Sequence, residues 1–564
     1  MERNENMKQN MISDQLPKLI ITSSLGGPCR MKQTSNRMKY IQYLAVAFMA
    51  VCLSSCSHFL EEYSQETDYA NSWEDLNETL LGDCYMPVAS SDVIAKSGDS
   101  LQFIHFMGDE LEECTESWDN KDMDYDAKDR MFGYFTWQQR VDQNDTYTGY
   151  NHENGGWTEI YRLINVANNV IYSLKKVPQA TDAEKKGVLK VDGEAHFLRA
   201  FYYFWLVNIY GNAYSPATAK TDLGVPIKLS ETVEDKVFKR NTVQEVYDQI
   251  LLDLQQAESD LSQTTVSSSI YRANITSVQF LLSRVYLYMQ NWGKAAEYAG
   301  KVLDAHPELQ PLANLQGGEL SKASVETIFS MGGNSLPCAT TYKYKGFTVS
   351  KDLYDTYSDN DLRKTKYWWA WGDFIGYAKL APQNTSQADP TSVRYYYITY
   401  NEGWIYLSCE VSDKFLFRSA EAYLIKAEAE AYLGNEGQAQ SAINTLREYR
   451  YQKGTDFQVT STGEELVKTI REERRKELAL EGLRWFDLRR YAVCEKYPES
   501  KKIVRNYYYY ESRNSGVKTE YHTFVLAPND KAYTLPIPQY VIDFNTGMQN
   551  NERPNRTYTV TPLK

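Results

Sequence analysis

The chain has 564 residues, with 61 Lys and Arg against 74 Asp and Glu and a formal net charge of −13. That acidic balance argues against nucleic acid as a partner, because phosphate binding depends on neutralising cations. The length exceeds what one simple core holds and points to two lobes or a repeat scaffold. The 45 Tyr and 11 Trp fill a core, but they also suit surfaces that combine an apolar face with a polar handle.

The first predicted element is a secretory signal. Arg37-Met38-Lys39 precedes an apolar run from Ile41 to Leu53, which closes on Leu53-Ser54-Ser55-Cys56. The run contains Gln42 and is shorter than the ~20 apolar residues of a membrane span. Small residues followed by cysteine replace the usual Ala-x-Ala cleavage site. The stretch resembles the bacterial lipobox, which implies that Cys56 carries a diacylglyceryl group and starts the mature protein. Residues 1–55 are set aside as signal, with Met31 and Met38 as candidate starts. Without them the chain keeps 54 Lys and Arg and 71 Asp and Glu, a net charge of −17. Membrane contact is therefore expected from lipid and not from a basic patch. Cys84, Cys114, Cys338, Cys409 and Cys494 lack CxxC spacing, so neither a disulfide framework nor a metal site is expected.

Residues 56–75 read as the lipidated cysteine and a polar tether, and 76–564 as one domain. An irregular insert covers about 87–150. Helical spacing of Ile160, Ile164, Ala167, Ile171 and Leu174 predicts a helix from Trp157 to Lys175. A second runs from Ala183 to Tyr210, stopped by Gly211. A third starts at Thr242, where Thr242 and Glu245 have capping-box spacing. Ser277–Gln290 and Lys294–Ala305 form a helix pair closed by Pro307, and Arg418–Leu433 with Gly437–Tyr449 repeats it. This is the tetratricopeptide pattern. The prediction is a mainly α fold, a helix-pair scaffold over 157–307 and 418–490, with aromatic-rich inserts at 87–150 and 308–417. After 495 the chain carries Tyr-rich, strand-like runs.

Several blocks together resemble one family, the SusD-like (RagB/SusD) outer-membrane lipoproteins of Bacteroidetes. They are Glu194-Ala195-His196-Phe197-Leu198-Arg199-Ala200 through Tyr210-Gly211, Gly224-Val225-Pro226-Ile227 with Arg240-Asn241-Thr242, Ile470 through Leu478 with Glu481 through Arg490, and Leu535-Pro536-Ile537-Pro538-Gln539. Asn550-Asn551-Glu552 departs from the family's Asn-Pro-Gly. The resemblance implies four tetratricopeptide-like pairs, no catalytic activity, no cofactor, and a SusC-like TonB-dependent outer-membrane channel as partner. The lipoprotein would be a surface-exposed lid that captures oligosaccharides, or in some members peptides.

Candidate ligand residues are Trp118, Asp119 and Asn120 in the first insert and Trp368, Trp369, Trp371, Asp373, Tyr396 and Trp404 in the second. A flat aromatic ring covers the C–H face of a sugar while Asp and Asn bond its hydroxyls. The Arg-dense segment 471–490 reads as a charge-paired helix, with Glu472 placed for Lys476 and with Glu477, Glu481 and Arg484 as a fold-locking network. Asp122, Asp124 and Asp126 alternate as in a calcium loop, but Ala127 and Gly133 stand where its Gly and Glu belong, so an acidic loop is expected and no metal. Asp109/Glu110 and Glu112/Glu113 could in principle serve a lipid-anchored glycoside hydrolase. Adjacency alone does not provide that geometry.

Overall fold

The computed structural model describes residues 71–86, 101–114, 125–149, 155–315, 318–331, 346–379, 397–400, 403–406, 411–512 and 515–563, apart from 233, 268 and 372. The scaffold helices are α1 (Gly156–Leu174), α2 (Asp182–Tyr210), α3 (Val243–Leu261), α4 (Ile275–Tyr288), α5 (Trp292–Ala305), α6 (Ser419–Leu433), α7 (Glu436–Glu448), α8 (Gly463–Glu477) and α9 (Arg484–Ala492). Their starts follow local chemistry. Thr181 with Glu184 and Thr242 with Glu245 form complete capping boxes ahead of α2 and α3, satisfying amides that would otherwise lack partners. Gly434, at φ +82°, ends α6 in the left-handed conformation that glycine adopts without penalty.

α2 is the central helix. From Phe197 to Tyr210 every residue is buried, as expected where neighbours cover all sides. α1 and α3 pack on α2, α4 on α3, and α5 on α4. α5 then packs directly against α6, although more than a hundred residues separate them. The helical stack is therefore continuous, and the second insert is looped out of it.

The strands are short: β1 (Leu111–Glu113), β2 (Thr327–Ser330), β3 (Phe347–Val349), β4 (Trp368–Trp371), β5 (Phe374–Tyr377), β6 (Tyr397–Tyr400), β7 (Gly403–Tyr406) and β8 (Leu416–Arg418). β9 (Ile503–Tyr510), β10 (Lys518–Leu526) and β11 (Tyr558–Pro562) form an antiparallel C-terminal sheet in the order β11-β10-β9.

Two expectations change. The insert at 87–150 contains a helix, Tyr125–Phe135, whose apolar residues crowd its C-terminal half and give no clear period; Asp126 of the acidic triplet lies inside it. The charged segment 471–490 is not one helix. It breaks between Glu477 and Arg484, with Leu480 at φ +57° and Gly482 at φ +74°. A Cβ on Gly482 would also lie 2.7 Å from the Lys414 Cβ, so this turn favours glycine for conformation and for space.

Candidate functional site

The two inserts meet in the fold. β1, from the first, pairs antiparallel with β3, from the second, with Leu111 opposite Val349. The Thr348 hydroxyl of β3 donates to the Ile375 carbonyl at 3.0 Å and accepts from the Ile375 amide at 2.8 Å, tying β3 to β5. β5 pairs with β4, setting Trp369 opposite Gly376 and Trp371 opposite Phe374. Cys114, just after β1, packs with Phe374 and Ala378. The chain thus enters the stretch that carries Trp118, Asp119 and Asn120 beside the β4–β5 hairpin. Those three residues, like Tyr396 and Cys56, lie outside the described residues. Asp373 is exposed at the hairpin turn. Trp404 pairs with Thr399 in the separate β6–β7 hairpin.

Trp368 departs from expectation. It is 1% exposed, with Tyr357, Tyr367 and Tyr377 around its ring at centroid distances of 5.9–6.3 Å. It roots the hairpin in the core and has no face left for a ligand. A run of three tryptophans in four residues does not reveal that Trp368 points inward.

Between β1 and β9 lies a cleft of about 480 Å³, lined among others by Asp109, Glu112, Glu113, Lys501, Asn506 and Tyr508. Its acids are mostly committed. Asp109 takes a bidentate grip from Arg484 at 2.7 and 2.9 Å and further bonds from Arg475 and Lys501. Burial opposes its charge, but Arg484 and Arg475 hold its carboxyl well below the usual range. Glu113 receives Lys128 at 2.6 Å and the Tyr508 amide at 2.8 Å. Glu110 accepts the Leu480 amide at 3.2 Å; burial, reinforced by neighbouring Asp109, pushes it up to about 8. The half-buried Glu112 is also raised by burial. The acid pairs offered by the sequence are thus largely structural, and the cleft is a polar, hydrogen-bonding surface.

The hairpin root rests on a buried charge hub. Glu477 accepts from Arg418 at 2.7 Å, from Arg450 at 2.9–3.1 Å and from Arg363 at 2.9 Å. Glu481 accepts from Arg418 at 2.7 Å and from Lys379, and Glu326 accepts from Arg418 and Arg450. Burial opposes ionisation of Glu477, but Arg450, Arg418 and Arg363 hold its carboxyl well below the usual range. Glu319, Glu326 and Glu477 are close enough to ligate a cation, but the guanidiniums of Arg418 and Arg450 already fill that role.

The expected network of Glu477, Glu481 and Arg484 therefore divides. The two glutamates share Arg418, while Arg484 belongs to Asp109. Lys476 turns inward to Glu473 and Asp361 at 3.5 and 3.8 Å instead of pairing with exposed Glu472. Arg471 pairs with Glu499, Arg474 with Glu421 and Asp487, and Arg490 with Glu428 and Asp487, while Arg489 donates to the Asn208 and Gly211 carbonyls. They form no nucleic-acid face. Arg363, Lys379, Arg418, Arg450 and Glu326 are the hub members that sequence reasoning missed. The signal available was a lone arginine closing the apolar run Phe415-Leu416-Phe417. His196 is a satisfied histidine, its Nδ1 2.8 Å from Asp253.

Among the described residues no helix is long and apolar enough to cross a membrane. A family model described as "SusD family" matches residues 408–554, and one described as "Starch-binding associating with outer membrane" matches 98–287. The chain is 27% identical over 388 residues to SusD-like protein P38 of Formosa agariphila, covering 59% of this chain and 71% of the relative. It is 29% identical to SusD-like protein P2 of the same organism, covering 59% and 70%. Among solved structures it superposes on a SusD-like carbohydrate binding protein from Bacteroides vulgatus with TM-score 0.59 and 21% identity, covering 85% of this chain and 97% of the other. It also superposes on surface glycan-binding protein A from Bacteroides uniformis with TM-score 0.57 and 17% identity, covering 85% and 99%. With motif blocks, helix stack and relatives in agreement, the chain belongs to the SusD-like family.

Proposed function

We propose that the protein is a glycan-binding lipoprotein of the bacterial outer membrane. It is anchored through Cys56 and serves as a surface lid that delivers oligosaccharides to a SusC-like TonB-dependent channel. The observation that carries this reading is the pairing of β1, from the first aromatic-rich insert, with β3, from the second. Sugar recognition needs aromatic faces beside hydrogen-bonding groups, and the β1–β3–β5–β4 arrangement brings together the chain segments that supply both. The names of the solved relatives, carbohydrate binding protein and glycan-binding protein, favour glycan over peptide and binding over catalysis. The ion pairs and backbone bonds of Asp109, Glu110 and Glu113 support the same choice.

Single alanine substitutions at Trp118, Trp369, Trp371 and Trp404, assayed by calorimetry against a glycan panel, test the site. At least one should weaken binding about tenfold, the effect of losing one stacking contact and its buried area. Unchanged affinity in all four rules out these inserts as the ligand face. Cys56→Ser should leave binding in solution intact and abolish glycan uptake by cells.

A further inference from the structure

β1 and β9 border the same cleft, yet no main-chain hydrogen bond joins them. In an antiparallel pair, residues whose N–H and C=O face the partner strand alternate with residues whose groups face away. On β1, the Glu110 carbonyl accepts from the Ser350 amide and the Cys114 amide donates to the Gly346 carbonyl. Leu111 therefore turns its main-chain groups away from β3. On β9, the Tyr508 amide donates to Glu113 at 2.8 Å and its carbonyl accepts from Lys128 at 2.6 Å. Tyr508, Asn506 and Val504 therefore turn theirs away from β10, with which they pair through Tyr521, Thr523 and Val525. All four residues line the cleft, so it has an open strand edge on each side.

Among the described residues, the main-chain groups of Leu111, Val504 and Asn506 on these edges have no hydrogen-bond partner. Leu111 is 2% exposed, and buried main-chain groups are rarely left unpaired. On the other wall Val504 and Asn506 are exposed, so that edge is within reach of a ligand. The open run is short. Glu113 and Lys128 already hold the Tyr508 groups at one end, and at the other Lys501 Nζ meets Asp109 at 2.7 Å. An added β-strand needs a continuous edge and does not fit between these stops. A sugar hydroxyl donates and accepts from one atom and needs only a single open position.

We propose that this cleft seats one neutral sugar unit through the main-chain groups of Leu111, Val504 and Asn506. The inference rests on the glycan-binding reading and deepens it, because it gives the ligand a seat on two strand edges and a sugar class. The volume of about 480 Å³ falls within the range of ligand pockets. Main-chain groups fixed in strands lose little entropy on binding. The acids of the cleft spend their charge on neighbours: Asp109 on Arg484 and Lys501, Glu113 on Lys128, and Asp352 on Arg475. Charges already paired in this way favour a neutral unit over a uronic or sulfated one.

The test uses the full mature chain in affinity electrophoresis through soluble starch, xylan and mannan. Val504→Pro removes the cleft-facing N–H, and proline is tolerated on a strand edge where no ladder bond is lost. Val504→Ala keeps that N–H and trims only the side chain. Loss of one main-chain hydrogen bond should weaken the affinity for the retarding polymer about three- to tenfold in Val504→Pro. Val504→Ala should stay within about twofold of wild type. Equal retardation of wild type and Val504→Pro refutes the seat and leaves the glycan-binding reading standing. An equal loss in Val504→Ala also refutes it, because the side chain would then carry the contact. A wild type retarded by no polymer overturns both. Where circular dichroism shows Val504→Pro unfolded, hydrogen exchange of the wild type decides. The malto-, xylo- or mannohexaose matching the retarding polymer should slow exchange of the Val504 and Asn506 amides by about threefold or more, and unchanged exchange refutes the seat.

Discussion

Glu477→Gln tests whether the charge hub holds the fold together. The wild-type carboxylate accepts from Arg363, Arg418 and Arg450 and is fully buried. The amide keeps the shape, removes the charge and turns an N–H₂ group toward guanidinium donors. Breaking one side of a buried ion pair costs about 3–5 kcal/mol, because the partner charges stay buried without compensation. That is a large fraction of the ~5–15 kcal/mol that keeps a protein folded. With a urea dependence near or above ~3 kcal/mol per molar for a chain of this size, the unfolding midpoint should fall by about 1 M. The effect should also depend on pH. The folded carboxyl lies well below its ordinary value, so its contribution is fully present above the unfolded value of about 4.5 and is lost as pH falls through the folded one. The gap between variant and wild type should be constant from pH 5 to 8 and narrow in acid. Glu472→Gln, on the exposed side of the same helix, is the control and should stay within about 0.5 kcal/mol. A Glu477→Gln midpoint within 0.2 M of wild type (a threshold of roughly the control's scatter), or an equal loss in the control, would refute the hub.

The remaining predictions concern the cleft and one helix start. Glu110, held up at about 8 by burial, should stay protonated in the folded state while the unfolded chain ionises near 4.5. Its contribution is thus present below pH 4.5 and lost as pH rises through 8; Glu110→Gln should flatten that decline in melting temperature, and an unchanged pH profile would count against it. Arg484→Ala removes a bidentate contact with Asp109 and should destabilise by about 2 kcal/mol, less than Glu477→Gln, since Arg475 and Lys501 still hold the carboxylate; an unchanged melting temperature would show that this contact is dispensable. Thr242→Ala removes the capping hydroxyl of α3 and should cost about 1 kcal/mol in chemical denaturation; no measurable change would mean that Glu245 alone holds the helix start.

The helical stack was legible because its signals are local. Capping residues, Pro307 and apolar spacing set α1 to α7 within one or two residues. The break between α8 and α9 was not, since the arginine-rich pattern continues helical spacing across it. What bends the chain there is Gly482 packed on Lys414, a contact between residues 68 positions apart in the sequence. The same limit hid the hub, whose arginines come from a short helix (Arg363–Lys366), a strand and a turn. For the site, composition identified the inserts as rich in stacking residues, but inward and outward tryptophans look alike in sequence. Trp368 went to the core because Tyr357, Tyr367 and Tyr377 close around it, and nothing local to Trp368-Trp369 announces that.

The rooting of the β4–β5 hairpin bears on how such a protein diversifies. Arg363 and Tyr367, just before the hairpin, both reach Glu477, and Trp368 and Tyr377 are buried at its base. Asp373, at the turn, is exposed. Residues near the tip can therefore change, or a loop can lengthen there, while the base keeps its place on the helical stack. Under the glycan-binding function proposed above, a lineage facing a new polysaccharide would remodel this hairpin without first surrendering a folded body, and a designer could graft a new loop at the same place.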